Sequence, residues 1–224
     1  MWRDAVLVAG KDLRLELRSR VTTNQVAPFA VLVLLLFAFA LDPDRGILAR
    51  VSAGLYWVAV LFSALLAIQR AFAVEAADGN RDGLRLSGLD PAGIFLGKAL
   101  AIAVQLLALE LLLLGGVILL YGTDVTDWMY IVVTCVAATV GLAAAGTIYG
   151  VLAAGLRVRE TLLPLLLLPV VAPVLIGSTQ VFEVALGGTA LDIAPADWVR
   201  LLSVFAVIYT AFGVAAFGPL LEES

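Results

Sequence analysis

Glu110 and Gln105 are the residues whose chemistry stands out first, because both lie inside a long apolar stretch. The run from Ala99 to Tyr121 is long enough to cross a bilayer, which takes about 20 apolar residues. A carboxylate near the middle of such a run is costly unless it is neutralised or paired. Two interpretations stay open. Glu110 faces a polar cavity or a partner subunit and serves transport, which is the default for such a residue, or it is a protonated or hydrogen-bonded structural group.

The sequence carries no motif that would make the chain an enzyme. The stretch Gly93-Ile94-Phe95-Leu96-Gly97-Lys98-Ala99 superficially resembles a phosphate-binding loop. However, only three residues separate its glycines, and Ala99 stands where a Ser or Thr must bind Mg²⁺. Zinc-protease and Gly-x-Ser-x-Gly motifs are absent as well. We therefore predict no ATPase or other catalytic site, so any energy for work comes from another chain.

Metal and haem-iron ligands are equally scarce. The sequence has no histidine, the commonest metal ligand and general base, and its single cysteine, Cys135, lies in an apolar run. We interpret Cys135 as a small core residue. The chain alone is predicted to bind no metal and no cofactor.

Composition places the chain in the membrane. Hydrophobic residues make up 62% of the sequence, charged residues only 14%, and mean hydropathy is +1.07. Soluble domains are about half apolar and about a quarter charged. The basic residues are scattered near the ends of apolar stretches rather than gathered in a patch, which argues against nucleic-acid binding. We predict an all-α integral membrane protein that forms one domain over residues 1–224.

Six stretches are predicted to span the bilayer, in some cases with their flanks. They are Thr23–Leu41, Val51–Ile68, Ala99–Tyr121, Trp128–Leu156, Leu162–Leu186 and Trp198–Leu221. Before them, Met1–Arg20 has apolar residues at steps of three and four with basic residues opposite, which predicts an amphipathic helix in the membrane interface.

The basic residues also predict the orientation. With the N-terminus in the cytoplasm, eleven of the 14 lysines and arginines fall in inside segments and three fall outside. This asymmetry matches the positive-inside rule. Six spans then return the C-terminus to the cytoplasm.

The longest polar interruption is Gln69–Lys98, which we call the connector. It holds four basic residues and is nearly neutral overall. Such a segment cannot lie in lipid, so it must join the second and third spans on the water side. It is either a surface on which a soluble partner acts or a plain solvated loop.

Two spans have distinctive packing residues. Gly146-x-x-x-Gly150 in the fourth span predicts close approach of another helix. Pro164, Pro169 and Pro173 in the fifth each remove a backbone hydrogen bond, which predicts a bent or locally unwound helix. Such a helix either lines a path or is merely kinked for packing.

Short motifs follow one another along nearly the whole chain in an order that resembles a known family. They are Lys11-Asp12-Leu13-Arg14-x-Glu16-x-Arg18, Gly54-x-x-Trp57-Val58-Ala59, Arg70-x-Phe72, Glu75 with Asp78-Gly79, Leu84-x-Leu86, Gly97-Lys98, and Leu163-Pro164 with Leu168-Pro169-x-x-x-Pro173. The chain resembles the haem exporter protein B family, the membrane subunit of the cytochrome c maturation ABC transporter. Arg81 and Gly88 depart from that pattern, where the family has an apolar residue and a proline.

The resemblance implies an ABC-2-like permease in the bacterial inner membrane. A separate cytoplasmic ATPase would dock on the connector and on Arg157–Glu160. The coupling residues that the resemblance implies are Arg70, Phe72, Glu75, Asp78, Gly79, Leu84, Leu86 and Lys98. ATP would be bound by that ATPase, and haem by a haem-handling membrane subunit. A small single-span subunit, a haem chaperone and a homodimer are compatible with the same assembly.

Within this resemblance, we favour ATP-driven coupling that helps release a haem-loaded chaperone over a simple haem pore. Two alternatives stay open. One is a permease subunit of another ABC-2-like exporter, for a lipid, glycan or drug. The other is a non-transporting scaffold that only assembles its partners.

Overall fold

The computed structural model describes residues 1–20, 22–41, 47–76, 88–154, 159–188 and 193–223, and these are helical almost throughout, with no strand among them. The helices are α1 (Trp2–Ser19), α2 (Ala27–Ala40), α3 (Ile47–Ala76), α4 (Pro91–Tyr121), α5 (Trp128–Ala154), α6 (Arg159–Ala185) and α7 (Pro195–Glu223). A π-helical turn, Thr22–Val26, precedes α2. The prediction of an all-α integral membrane protein is confirmed.

Five helices, α3 to α7, are long and apolar enough to cross a bilayer on their own. Each has at least 27 residues and so is at least about 40 Å long, against a hydrocarbon core of about 30 Å. The first predicted span is different, because α2 has only 14 residues. It meets the same criterion only together with α1, across a bend of 54°. The structure therefore provides five spans, or six if that pair is counted.

Helix α4 begins eight residues before its predicted span. Pro91 occupies its first turn, where a missing N–H costs nothing, and the Asp90 side chain caps the helix by accepting from the Ala92 N–H at 3.2 Å. Gly122, with φ of 62°, ends it in the left-handed conformation that glycine adopts without strain. The end of the connector is therefore helical, as is its beginning, since α3 continues to Ala76.

Helix α5 lies at the centre of the bundle, in contact with α3, α4, α6 and α7. The small residues along it are buried, and a side chain on Gly141 would collide with Phe205 of α7. Short side chains let neighbouring helices approach closely, as the sequence predicted for this span. Helix α7 is the least buried span, and its outer side exposes Val204, Val207, Ile208 and Phe212.

Helix α6 passes through Pro164, Pro169 and Pro173 as one continuous α-helix. Local unwinding, one of the two forms that the prolines predicted, does not occur there. Each proline removes only one backbone donor, and the remaining hydrogen bonds hold the helix together. A kink at these residues stays a prediction.

Candidate functional site

Helix α1 is seated directly on the backbone of α4. A Cβ placed on Gly97 would lie 2.6 Å from the Ala5 carbonyl oxygen and 2.7 Å from the Val8 Cβ. A Cβ placed on Gly93 would lie 2.8 Å from the Met1 carbonyl oxygen. Both distances are too short for a side chain, so only glycine at these two positions allows α1 to lie this close.

Lys98 follows this contact and is buried, with 1% of its side chain exposed. Its Nζ lies 3.4 Å from a carboxylate oxygen of Asp12 on α1 and 5.1 Å from the centroid of the Phe72 ring on α3. Ion pairing and the face of an aromatic ring both stabilise a cation that has been removed from water. Lys98 therefore joins α1, α3 and α4 at one point.

Phe72 connects this point to α5. The ring of Phe72 occupies the space where a side chain on Gly150 would be, and Ile68 does the same at Gly146. The predicted close approach at Gly146-x-x-x-Gly150 is thus made by the end of α3. We call Asp12, Phe72, Lys98 and Gly150 the four-helix junction, because they bring together α1, α3, α4 and α5.

Among the residues that the resemblance assigned to ATPase coupling, Phe72 and Lys98 are buried in this junction rather than exposed. Arg70 is partly exposed, and its Nε lies 4.0 Å from Glu16 of α1. The backbone of Glu75 belongs to α3. The Glu75 side chain, together with Asp78, Gly79, Leu84 and Leu86, lies outside the described residues. In the second predicted docking segment, Arg157 and Val158 lie outside them as well, and of Arg159 and Glu160 only the backbone is described.

A cavity of about 250 Å³ lies beside the junction, between α1, α3 and α4. Charged side chains of Lys11, Asp12, Glu16 and Arg70 form part of its wall, and Gln105 contributes from α4. Gln105 therefore faces a partly polar space.

Glu110 points elsewhere, because it lies on a different side of α4. It is buried, with 2% exposure, and one carboxylate oxygen accepts a 2.5 Å hydrogen bond from Thr139 of α5. Tyr56 of α3 donates to the Glu110 backbone carbonyl at 3.2 Å and lies 3.6 Å from the Cys135 sulfur. The arrangement matches the structural interpretation of Glu110, while a role in transport stays a prediction.

The second carboxylate oxygen of Glu110 has no hydrogen-bond partner among the described residues. Glu110 is not among the residues that line the cavity beside Gln105. A large polar cavity around both residues is the feature that would have favoured the exporter alternative. What joins α3, α4 and α5 here is a small polar cluster enclosed by apolar side chains.

Sequence reasoning missed several of these residues. The Gly93-x-x-x-Gly97 spacing was considered only as a failed nucleotide loop, although the same spacing is a helix-packing motif. Cys135 and Thr139 lie four residues apart, hence on one face of α5, and that spacing could have identified the partners of Glu110. No local signal paired Asp12 with Lys98, because 86 residues separate them.

The start of α1 is held to the start of α4 by charge. The Met1 ammonium lies 3.0 Å from Asp4 and 3.4 Å from Asp90. The hydrogen bond between Met1 and Asp4 lowers the pKa of the Asp4 carboxyl and raises the pKa of the amine. Both groups are thus charged near neutral pH and support the seating of α1.

The described residues contain no grouping of three His, Cys, Asp or Glu side chains that could hold a metal ion. The site therefore consists of the contacts between helices, one cavity, and the buried polar side chains of Lys98 and Glu110. Such an arrangement can transmit movement between helices, and it supplies no nucleophile–base pair.

Comparison with known proteins identifies the family. The family model described as CcmB protein matches residues 3–222. The chain is 32% identical over 210 residues to heme exporter protein B of Haemophilus influenzae, covering 92% of this chain and 93% of that protein. It is 28% identical to the proteins of that name from Rhodobacter capsulatus and Pseudomonas aeruginosa, with at least 92% of each chain covered. The predicted family is confirmed, and the chain belongs to the CcmB protein family.

Proposed function

We propose that this chain is the membrane permease subunit of a haem export system in cytochrome c maturation. The observation that carries the proposal is the match to the CcmB family over residues 3–222, on a bundle of membrane-spanning helices. In this role the chain performs no catalysis. ATP is bound and hydrolysed by a separate ATPase subunit, and haem is the cargo of partner proteins.

The ATPase is proposed to act on the connector, residues 69–98. Both ends of this segment continue into spans, as α3 and α4. Phe72 and Lys98 then connect those ends to α1 and α5 in the four-helix junction. A displacement of the connector would therefore move several helices together. This is the basis for preferring ATP-driven release of a haem-loaded chaperone over a simple haem pore.

The proposed assembly lies in the bacterial inner membrane with both termini in the cytoplasm. It includes the ATPase, a haem-handling membrane subunit, a small single-span subunit and a haem chaperone, and it allows a homodimer of this chain. The absence of histidine from the sequence supports the assignment of haem iron to a partner.

Affinity purification from the native membrane, with identification of the proteins that accompany the chain, tests the assignment. A small ATPase together with a haem-binding membrane protein is expected. Recovery of an ATPase with a partner from another pathway would make the haem assignment wrong. Recovery of neither would contradict the proposed assembly.

The docking site is tested with a charge reversal in the connector. Glu75→Lys is expected to reduce co-purification of the ATPase severalfold, while the chain is still inserted and folded. The matched control is Asp124→Lys, which reverses an exposed charge between α4 and α5, away from the connector. Unchanged ATPase recovery with Glu75→Lys would contradict the proposed docking surface.

A further inference from the structure

The acidic side chains of helix α1 are turned toward the rest of the molecule. Those of Asp4, Asp12 and Glu16 are only 24%, 15% and 16% exposed. Each carboxylate lies within 4.0 Å of a cationic group of α3, of α4 or of the N-terminus. The negative charge of α1 is therefore matched inside the protein, and little of it faces outward.

Three arginines of the same helix face the opposite way. Arg3, Arg14 and Arg18 are exposed, and Arg14 and Arg18 make no hydrogen bond or ion pair with any other described residue. Arg3 interacts with Asp4, whose carboxylate is already paired with the Met1 ammonium. The three arginines are eleven and four residues apart, close to three turns and one turn of an α-helix, so they share one face. We call Arg3, Arg14 and Arg18 the basic row.

The bilayer lies directly beside the basic row. Trp2, Val6 and Leu17 are 64–77% exposed and form a neighbouring apolar face of α1, about a quarter turn away around the helix axis. The contact of α1 with α4 comes immediately before the apolar segment that begins at Ala99, so α1 lies at the edge of the membrane. An amphipathic helix at this level buries its apolar face among acyl chains and holds its cations among the head groups.

We propose that the basic row binds the phosphate groups of anionic phospholipids, in the leaflet on the side of the connector. A guanidinium group can donate to two phosphate oxygens at once, a geometry that an ammonium group does not offer. The long arginine side chains can reach the head groups while their aliphatic stems rest on apolar surface.

The distribution of charge selects an anionic lipid over a zwitterionic one. The basic row contains no carboxylate that could bind the ammonium group of a zwitterionic head group, because the carboxylates of α1 face the bundle. The whole chain has a net charge of −4, so a preference for anionic lipid has to come from a local group of cations. An acidic protein surface would also attract arginines, but the exposed apolar face places lipid beside this row.

Binding is tested on the full-length chain, purified in detergent and stripped of lipid. Native mass spectrometry follows titration with phosphatidylglycerol and, separately, with phosphatidylcholine of the same acyl chains. Phosphatidylglycerol is expected to bind at least about tenfold more tightly, since each arginine near an anionic head group contributes about fivefold in affinity. The double variant Arg14→Gln/Arg18→Gln is expected to weaken phosphatidylglycerol binding at least about fivefold and to leave phosphatidylcholine binding unchanged.

The matched control is the double variant Arg50→Gln/Arg200→Gln, which removes two exposed arginines from α3 and α7 and changes the net charge equally. It is expected to keep the preference for phosphatidylglycerol. An equal loss in this control would show a general attraction of charge and would overturn the assignment to the basic row. Equal affinity of the unaltered chain for the two lipids would overturn the proposal as well.

Two further measurements separate the remaining outcomes. Arg14→Lys/Arg18→Lys keeps both charges and should bind phosphatidylglycerol more tightly than the glutamine variant, and equal binding by the two variants contradicts the proposal. Loss of ATPase recovery in the glutamine variant with unchanged lipid preference would identify a protein-docking surface instead.

If the glutamine variant fails to fold, the salt dependence of the unaltered chain decides. Exposed charges are screened by salt, so the preference for phosphatidylglycerol should fall severalfold between about 0.05 M and about 0.5 M ammonium acetate. A preference that does not change with salt would contradict binding by the basic row.

Discussion

Gly97 sets the distance between α1 and α4, because the backbone of α1 occupies the space where a side chain would be. Gly97→Ala is therefore expected to lower the free energy of unfolding by about 1–3 kcal/mol through overpacking. The thermal unfolding temperature in detergent measures this change. Gly115→Ala in the same helix is the control, since nothing lies within 4 Å of a Cβ placed there. That control should be neutral or stabilising by about 0.5–1 kcal/mol. Equal behaviour of the two variants would show that α1 is not seated at Gly97.

The pair formed by Asp12 and Lys98 is expected to be energetically coupled. A double-mutant cycle with Asp12→Asn and Lys98→Met should give an interaction free energy of about 0.5–3 kcal/mol, because each side chain stabilises the charge of the other. Asp12→Asn alone should cost more than Lys98→Met alone, since it leaves a buried cation with less compensation. The same unfolding measurement reports both quantities. Additive effects would mean that the 3.4 Å contact contributes nothing.

At the scale of single residues, the sequence indicated which side chains are chemically unusual, but it did not indicate which residues they contact. An intramembrane carboxylate at Glu110 was recognisable because its apolar surroundings are local in sequence. Its hydrogen bond to Thr139 was not, because that contact depends on the rotation of α5 relative to α4. Lys98 was assigned to a surface for the same reason, since its burial is produced by α1, which lies far away in the sequence.

At the scale of helices, Glu110 and Thr139 link α4 to α5. Thr139→Val should lower the free energy of unfolding by about 1–3 kcal/mol, because it removes a donor from a buried carboxylate. The control is Thr134→Val in the same helix. Thr134 is also buried, but its hydroxyl has no hydrogen-bond partner among the described residues, so its loss should be neutral or stabilising. A smaller effect at Thr139 than at Thr134 would contradict the link.

The helices themselves were largely predictable, because apolar runs of about 20 residues leave few other structures in a bilayer. The differences lie at their ends. Helix α4 begins at Pro91 rather than Ala99 because the Asp90 cap and the proline initiate it in a polar stretch that hydropathy ignores. Helix α2 is shorter than its apolar run because a π-helical turn occupies the first residues.

At the scale of the whole molecule, the proposed orientation predicts which positions are reached from each side. Asp124→Cys, between α4 and α5, should react with an impermeant maleimide in intact spheroplasts. Arg20→Cys, after α1, should react only once the membrane is opened. The native Cys135 lies within α5 and packs against the core, so the unmodified chain is the control for background labelling. The reverse pattern of reaction would invert the topology.

The seating of α1 on α4 also has a consequence for biogenesis. Asp12 leaves the ribosome 86 residues ahead of Lys98. At about 5–20 residues per second, α1 exists for about 4–17 s before its seat has been made. During that interval the exposed apolar side chains of Trp2, Val6 and Leu17 can hold the nascent helix on the bilayer surface. The amphipathic character of α1 would thus keep this helix at the membrane surface during synthesis. Once α4 is inserted, Gly93 and Gly97 would let α1 pack against it.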